Sequence, residues 1–179
     1  SRPVAYLVCN VLPPAAGGHL VVCDPFGKVI ALEPATGTPR WTMDPKINKT
    51  PFAGRFKCRG VEYWADDTAA PDAACAHRLF LATADKRLIA MDARDGRRCA
   101  GFGVNGEVNV DTLIKATFPA DGVELTQLAS PPTAINGVVA VSVERGERHR
   151  RGLSTHARAP STFPSRWVSA VSSRKRSSN

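Results

Sequence analysis

The residues able to do chemistry are few and scattered. Cys9, Cys23, Cys58, Cys75 and Cys99 are odd in number and form no CxxC pair of the kind a zinc or redox site uses. Cys58 and Cys75 can pair across a loop in an oxidising compartment, but sequence does not supply the Cα separation such a bond needs, so the pairing stays open. The adjacent carboxylates Asp66 and Asp67 would suit acid–base work. In a loop with Ala and Pro, however, neighbours point apart, and solvated turn residues are the simpler reading. His19 and His77 each precede an apolar run at near-equivalent places, which fits a strand edge better than a metal ligand. Gly101-Phe102-Gly103-Val104-Asn105-Gly106 matches GxGxxG, yet a turn precedes it. Val108 and Val110 then alternate like a strand, so no helix N-terminus is expected there to receive a pyrophosphate.

What must position these residues is a repeat. Leu20-Val21-Val22-Cys23, Val29-Ile30-Ala31-Leu32 and Thr36-Gly37 line up with Leu79-Phe80-Leu81-Ala82, Leu88-Ile89-Ala90-Met91 and Asp95-Gly96, all offset by 79 − 20 = 59. A third copy starts at Val138-Val139-Ala140-Val141, another 138 − 79 = 59 residues on, and Pro131-Pro132 follows Pro13-Pro14 by two periods. Each unit reads as an apolar strand, a turn with Pro, Gly or Asp, a second strand, a Thr/Asp-Gly turn and a closing strand. In the first copy Trp41 lies where an aromatic would dock on the next unit; in the second, Ala100 replaces it. Four strands in about 59 residues, repeated, describe blades of an all-β propeller. Residues 1–142 hold 142/59, about 2.4, such units, whereas closed rings need roughly four to eight. The chain is therefore expected to be a fragment of a propeller, about two to three blades long.

The residues then point to a family. Asp44-Pro45-Lys46-Ile47-Asn48-Lys49-Thr50-Pro51-Phe52, Cys58-Arg59-Gly60-Val61-Glu62-Tyr63-Trp64, Cys75-Ala76-His77-Arg78-Leu79-Phe80-Leu81, Phe102-Gly103-Val104-Asn105-Gly106-Glu107-Val108 and Ser130-Pro131-Pro132 together resemble the periplasmic domain of membrane-bound quinoprotein glucose dehydrogenases. The stretch from Ala31 to Trp41 is similar to the tryptophan-docking motif of dehydrogenases that use pyrroloquinoline quinone (PQQ). The likeness covers roughly residues 18–142. Related alcohol dehydrogenases place two adjacent cysteines near Cys58; here Lys57 precedes it, which favours the glucose branch.

The resemblance implies an eight-bladed propeller with PQQ and Ca2+ on its axis, oxidising D-glucose and other aldoses to the lactone and passing electrons to ubiquinone on the periplasmic side of the inner membrane. An alcohol or polyol dehydrogenase is the alternative, and a non-catalytic scaffold propeller, which lacks CRGVxYW, is a third. PQQ carries several carboxylates, and an arginine can meet a carboxylate with two parallel charge-assisted hydrogen bonds. Arg59 falls on the family arginine beside the cofactor, and Arg55 stands where the family often has a histidine near the quinone. Trp41 is assigned to structural docking. The resemblance places the catalytic Asp and Lys and the calcium ligands in later blades, so no catalytic residue and no metal ligand is expected in this chain.

Charge separates the chain into two regions, 1–142 and 143–179. Residues 143–179 contain nine Lys/Arg and two acids, a net of +7, leaving 24 − 9 = 15 basic and 16 − 2 = 14 acidic residues before them. The overall excess of positive charge thus belongs to a tail and describes no ligand of the folded part. The repeat also lapses: its small residue and turn Gly should fall at 149 and 155, which are His149 and Thr155. Rich in Arg and Ser and without periodicity, the tail is expected to be disordered. A shifted reading frame near residue 142 is the favoured source, against a functional basic tail whose Arg174-Lys175-Arg176 meets anionic lipid or nucleic acid; nucleic acid is not the expected partner. No run approaches the ~18–20 apolar residues of a membrane span, and Ser1-Arg2-Pro3 shows no signal-peptide pattern, so the chain is expected to begin within something longer.

Overall fold

A computed structural model describes residues 7–48, 56–117, 125–128, 130–135, 137–145, 156–157 and 168–173. The first sheet is antiparallel in the order β1 (Leu7–Val11), β2 (Leu20–Cys23), β3 (Val29–Leu32), β4 (Pro39–Met43). The second repeats it with β5 (Val61–Ala65), β6 (His77–Ala82), β7 (Arg87–Asp92) and β8 (Glu107–Asn109). The matched runs Leu20 to Cys23 and Leu79 to Ala82 both lie on second strands, so the period of 59 marks true structural equivalents. It does not extend to every element. First strands start at 7 and 61, 54 apart, because the link from β5 to β6 is longer than that from β1 to β2. The proline pairs are not equivalent either: Pro13 precedes a short 3-10 turn, Pro14–Ala16, between β1 and β2, whereas Pro131-Pro132 precede β10 (Thr133–Ile135).

The hairpin turns are built by side chains that replace missing backbone partners. Between β2 and β3, Asp24 Oδ1 accepts the amides of Phe26 and Lys28, both at 2.8 Å. Between β6 and β7, Thr83 Oγ1 accepts the Arg87 amide at 3.0 Å, and Lys86 turns with φ +66°.

The closing strand of the second unit departs from the repeat. At the position equivalent to β4 only the bridge Met91↔Arg98 forms. The chain then loops through Gly103 and Gly106 and returns as β8, paired with β7 at Arg87↔Asn109 and Ile89↔Glu107. Gly106 faces Arg98 Cβ at 2.8 Å from where its own Cβ would stand, so this return needs glycine. Beyond β8 lies a helix, α1 (Val110–Thr117), where strand alternation was expected at Val110. Asn109 Oδ1 accepts the Thr112 amide at 2.9 Å and Asp111 lies in the first turn, a capping signal that outweighs two alternating valines.

The third sheet begins as a blade. β9 (Leu125–Leu128) and β10 both pair antiparallel with the same edge of β11 (Val138–Arg145), which starts where the repeat requires. Pro131 and Pro132, having no N–H to donate, fall in the break between β9 and β10. On the other edge β11 meets β13 (Val168–Ser173) in parallel, and β12 (His156–Ala157) pairs with β13. Two strands thus occur in the tail expected to be disordered. The register of β11 with β13 runs from Val138↔Val168 to Val143↔Ser173. Residues 146–155, 158–167 and 174–179 lie outside the described residues.

Two apolar layers join the sheets, because side chains alternate across each strand. Leu79, Leu81, Ile89 and Met91 face Val21, Cys23, Val29 and Ala31 of the first sheet. Phe80, Ala82, Leu88 and Ala90 face the other way, toward Phe102, Leu128, Val139 and Val141. Trp41 packs against the first layer, and its indole lies over the Asp95-Gly96 turn, 2.5 Å from where a Gly96 Cβ would be.

Candidate functional site

Register places the candidate residues on one end of the sheets. Val61 pairs with Leu81, so Arg59, two residues before β5, lies at the end where the Thr83–Lys86 turn joins β6 to β7. Cys23 pairs with Val29, so the Asp24–Lys28 turn marks the corresponding end of the first sheet. A disulfide joins these ends: Cys23 and Cys58 are bonded, with Cα atoms 6.1 Å apart. The second disulfide, Cys75–Cys99, lies within the second unit with a Cα separation of 5.8 Å. The open pairing of Cys58 with Cys75 is therefore corrected. Cys58 sits before β5 and Cys75 before β6, and antiparallel pairing of those strands holds the two points at opposite ends.

Arg59 is half-buried and has no hydrogen bond or ion pair with another described residue. The segment around it is held on three sides. Cys58 is tied to Cys23, Phe56 packs on Phe26 with ring centroids 5.1 Å apart, and Gly60 backs onto Pro131. Gly60 has φ +117°, and a Cβ there would stand 3.4 Å from Pro131 Cγ. Glu62 Oε1 accepts the Ala134 amide at 3.3 Å, carrying the same strand onto the third sheet. Arg55 lies outside the described residues.

A charged cluster secures the nearby start of the 44–60 connection. Arg87 donates to Asp85 at 2.8 Å, to Glu107 at 3.0 Å and to the Pro45 carbonyl at 2.7 Å, and the Asn48 amide donates to Asp85 at 3.1 Å. Burial pushes the Asp85 carboxyl up, but the hydrogen bonds from Arg87, Thr83 and Asn48 outweigh it and hold the group below its ordinary value. Burial likewise works against the Arg87 cation, and Asp85 and Glu107 more than offset it, leaving its pKa raised. A cleft on this end is lined by Asp24, Phe26, Lys28, Asp44, Lys46 and Ile47. Its charges are of both signs, and Asp24 and Asp44 already accept backbone amides, so it makes no anion cradle.

The remaining candidates take structural places. Asp66 Oδ1 accepts the Thr68 amide and hydroxyl while its Oδ2 lies 3.9 Å from Arg78, so Asp66 shapes a turn, and Asp67 is exposed. His77 shares a 2.8 Å hydrogen bond with the Tyr63 hydroxyl on paired strands; burial, and then the charge of Asp67, raise the Tyr63 pKa. His19 stacks beside Gly17, whose Cβ position lies 2.6 Å from the imidazole. Asp92, buried, accepts the Cys75 amide and the Arg94 guanidinium; burial raises its carboxyl and these donors bring it below the ordinary value. Among the described residues, no three of His, Cys, Asp and Glu are grouped to hold a metal ion. The pairing of Cys58 with Cys23 was not legible in sequence, because nothing local links a strand end to a residue 35 positions on.

The sequence is similar to those of known dehydrogenases. Residues 3–159 match the family described as PQQ, the glucose/ethanol/alcohol dehydrogenase β-propeller domain. The glycerol dehydrogenase large subunit of Gluconobacter thailandicus is 34% identical over 141 residues, 78% of this chain and 18% of that protein. Quinoprotein glucose dehydrogenase A of Acinetobacter calcoaceticus is 31% identical over 121 residues, 62% of this chain and 15% of that protein. A solved structure, the quinohemoprotein alcohol dehydrogenase of Comamonas testosteroni, is similar with a TM-score of 0.48 at 26% identity, over 68% of this chain and 15% of that one. The chain thus spans less than a fifth of these relatives. With most of its length inside that match and its strands folded as successive propeller blades, the chain belongs to the PQQ-dependent dehydrogenase β-propeller family.

Proposed function

We propose that this chain supplies early blades of a quinoprotein that oxidises an aldose, D-glucose foremost, to its lactone, with Arg59 as a contact to PQQ. The observation that carries this is Arg59 itself: a half-buried guanidinium with no described partner, held just before β5, an edge strand of the second sheet. Its two parallel donors suit a carboxylate of the cofactor, and partial burial reduces the competition from water. PQQ, when bound, supplies a quinone able to accept hydride from a substrate carbon. In that setting this chain's residues bind and orient: Arg59 holds a carboxylate, while Arg87 and Asp85 steady the segment leading toward it. The catalytic base and the Ca2+ ligands are assigned to blades outside this chain.

Ubiquinone as acceptor and the periplasmic face of the inner membrane belong to the same proposal. The two disulfides support an oxidising compartment. No helix among the described residues is long and apolar enough to cross a membrane. Oxidation of a polyol is the second reading, favoured by the likeness to a glycerol dehydrogenase. Two measurements test the proposal. Quenching of tryptophan fluorescence by PQQ should weaken about ten-fold in Arg59→Gln, and an unchanged affinity would remove Arg59 from the cofactor site. Loaded with PQQ and Ca2+, the chain should reduce dye with neither glucose nor glycerol; turnover would overturn the assignment of the base to other blades, and turnover with glycerol alone would select the polyol reading.

A further inference from the structure

We infer that the Cys23–Cys58 disulfide and Gly60 form a positioning device that presets Arg59 for the cofactor. The inference rests on the reading of Arg59 as a PQQ contact and concerns how that contact is made ready. Cys58 and Arg59 form no backbone hydrogen bond with another described residue, so neither strand nor turn holds them. What holds them is a bond on one side and a packing contact on the other. Cys58 is fixed to Cys23 at the end of β2, in the neighbouring blade. Gly60, buried and at φ +117°, a conformation that a side chain would oppose, rests against Pro131, just before β10 of the third sheet. Arg59 is the residue between these two anchors, so its Cα is referenced to three sheets at once.

This placement matters for a bidentate contact. A guanidinium fork matches a carboxylate only in the right plane and position, and binding is weakened whenever the backbone beneath it must first be ordered. The Cys75–Cys99 bond has no such neighbour; it lies beside the Asp92 and Arg94 cluster within the second blade. The two bonds therefore divide the work: one staples a blade, the other aims a side chain. The device is also open to reduction. A dithiol such as dithiothreitol delivers two electrons and two protons, its own sulfurs closing into a ring disulfide while Cys23 and Cys58 become thiols.

The test is a double-mutant cycle on the full chain with PQQ as the probe, read by tryptophan quenching. Cys23→Ser/Cys58→Ser should weaken PQQ binding about ten-fold, and the same pair placed on Arg59→Gln should add little, because there is no longer a guanidinium to aim. Equal losses in both backgrounds would show that the bond acts on the chain generally and would overturn the inference. A second measurement needs no cofactor. Trypsin cleavage after Arg59 should accelerate about ten-fold when the Cys23–Cys58 bond is removed or reduced, and much less in Cys75→Ser/Cys99→Ser. No acceleration, or an equal one in both variants, overturns the positioning role. If cleavage behaves as expected while Arg59→Gln leaves PQQ affinity unchanged, the anchoring stands and the cofactor reading of Arg59 fails.

Discussion

The first and second blades share a repeat but not an environment. In the second, β6 and β7 are buried along nearly their whole length, with Leu79, Phe80, Leu81, Leu88, Ile89, Ala90 and Met91 all at 0% exposure. In the first, β3 alternates: Val29 and Ala31 are buried, while Ile30 and Leu32, which face away from the second blade, are only half-buried. The residue types are alike at Val29-Ile30-Ala31-Leu32 and Leu88-Ile89-Ala90-Met91, so the difference arises from neighbours. Among the described residues, both faces of the second sheet are covered, whereas the outer face of the first is covered at Val22, 1% exposed, and partly open at Ile30 and Leu32. Stability in such arrays is approximately a sum over blades and the interfaces between them.

Substitutions that delete buried volume should separate the blades most widely. Phe80→Ala removes a ring at 0% exposure that packs on Phe102 with centroids 5.4 Å apart, and should cost about 3–5 kcal/mol in urea unfolding. Ile30→Ala, on the half-buried face, should cost about 1–2 kcal/mol; equal losses would mean that the outer face of the first blade is covered after all. Next in size, losing the Cys75–Cys99 bond, which closes 24 residues, should cost about 2–4 kcal/mol, measured the same way against the parent.

A sharper comparison uses two glycines one period apart, 96 − 37 = 59. Both lie in the left-handed region, at φ +69° for Gly37 and +73° for Gly96, but a Cβ on Gly37 meets nothing within 4 Å while one on Gly96 strikes Trp41. Gly37→Ala should therefore cost only backbone strain, about 1 kcal/mol, and Gly96→Ala about 1–3 kcal/mol more, with a change in Trp emission. Matching losses would argue that the indole does not seal the interface. The smallest effect concerns pH. Asp85 and Asp92 have folded pKa values below their ordinary ones, so the unfolded chain binds their protons more readily. Their contribution is complete above about pH 4 and is lost as pH falls through the lower folded values. Asp85→Asn should flatten that acid-side decline, read as unfolding midpoints between about pH 5 and 2.

The legible part of the fold was whatever depends on local pattern. Alternation and turn residues located β2, β3, β6, β7 and the start of β11. Elements decided by glycine turns and a helix cap were missed. The return of β8 depends on Gly103 and Gly106 folding the chain back, and α1 depends on an Asn109 cap that two alternating valines obscured. At the candidate site, Arg59 was found through resemblance. Its anchors were not, because Cys23 and Pro131 meet it only after three sheets have assembled.

The seating of Trp41 on Gly96 has a consequence in time as well as space. The two residues are 96 − 41 = 55 positions apart, and the surface that receives the indole does not exist until the second of them has been made. At the ~5–20 residues per second of synthesis, that is an interval of about 3–11 s in which a large aromatic side chain waits without its cover. For that interval a newly made first blade exposes an adhesive flank to whatever is nearby, and the next blade's arrival is what retires it.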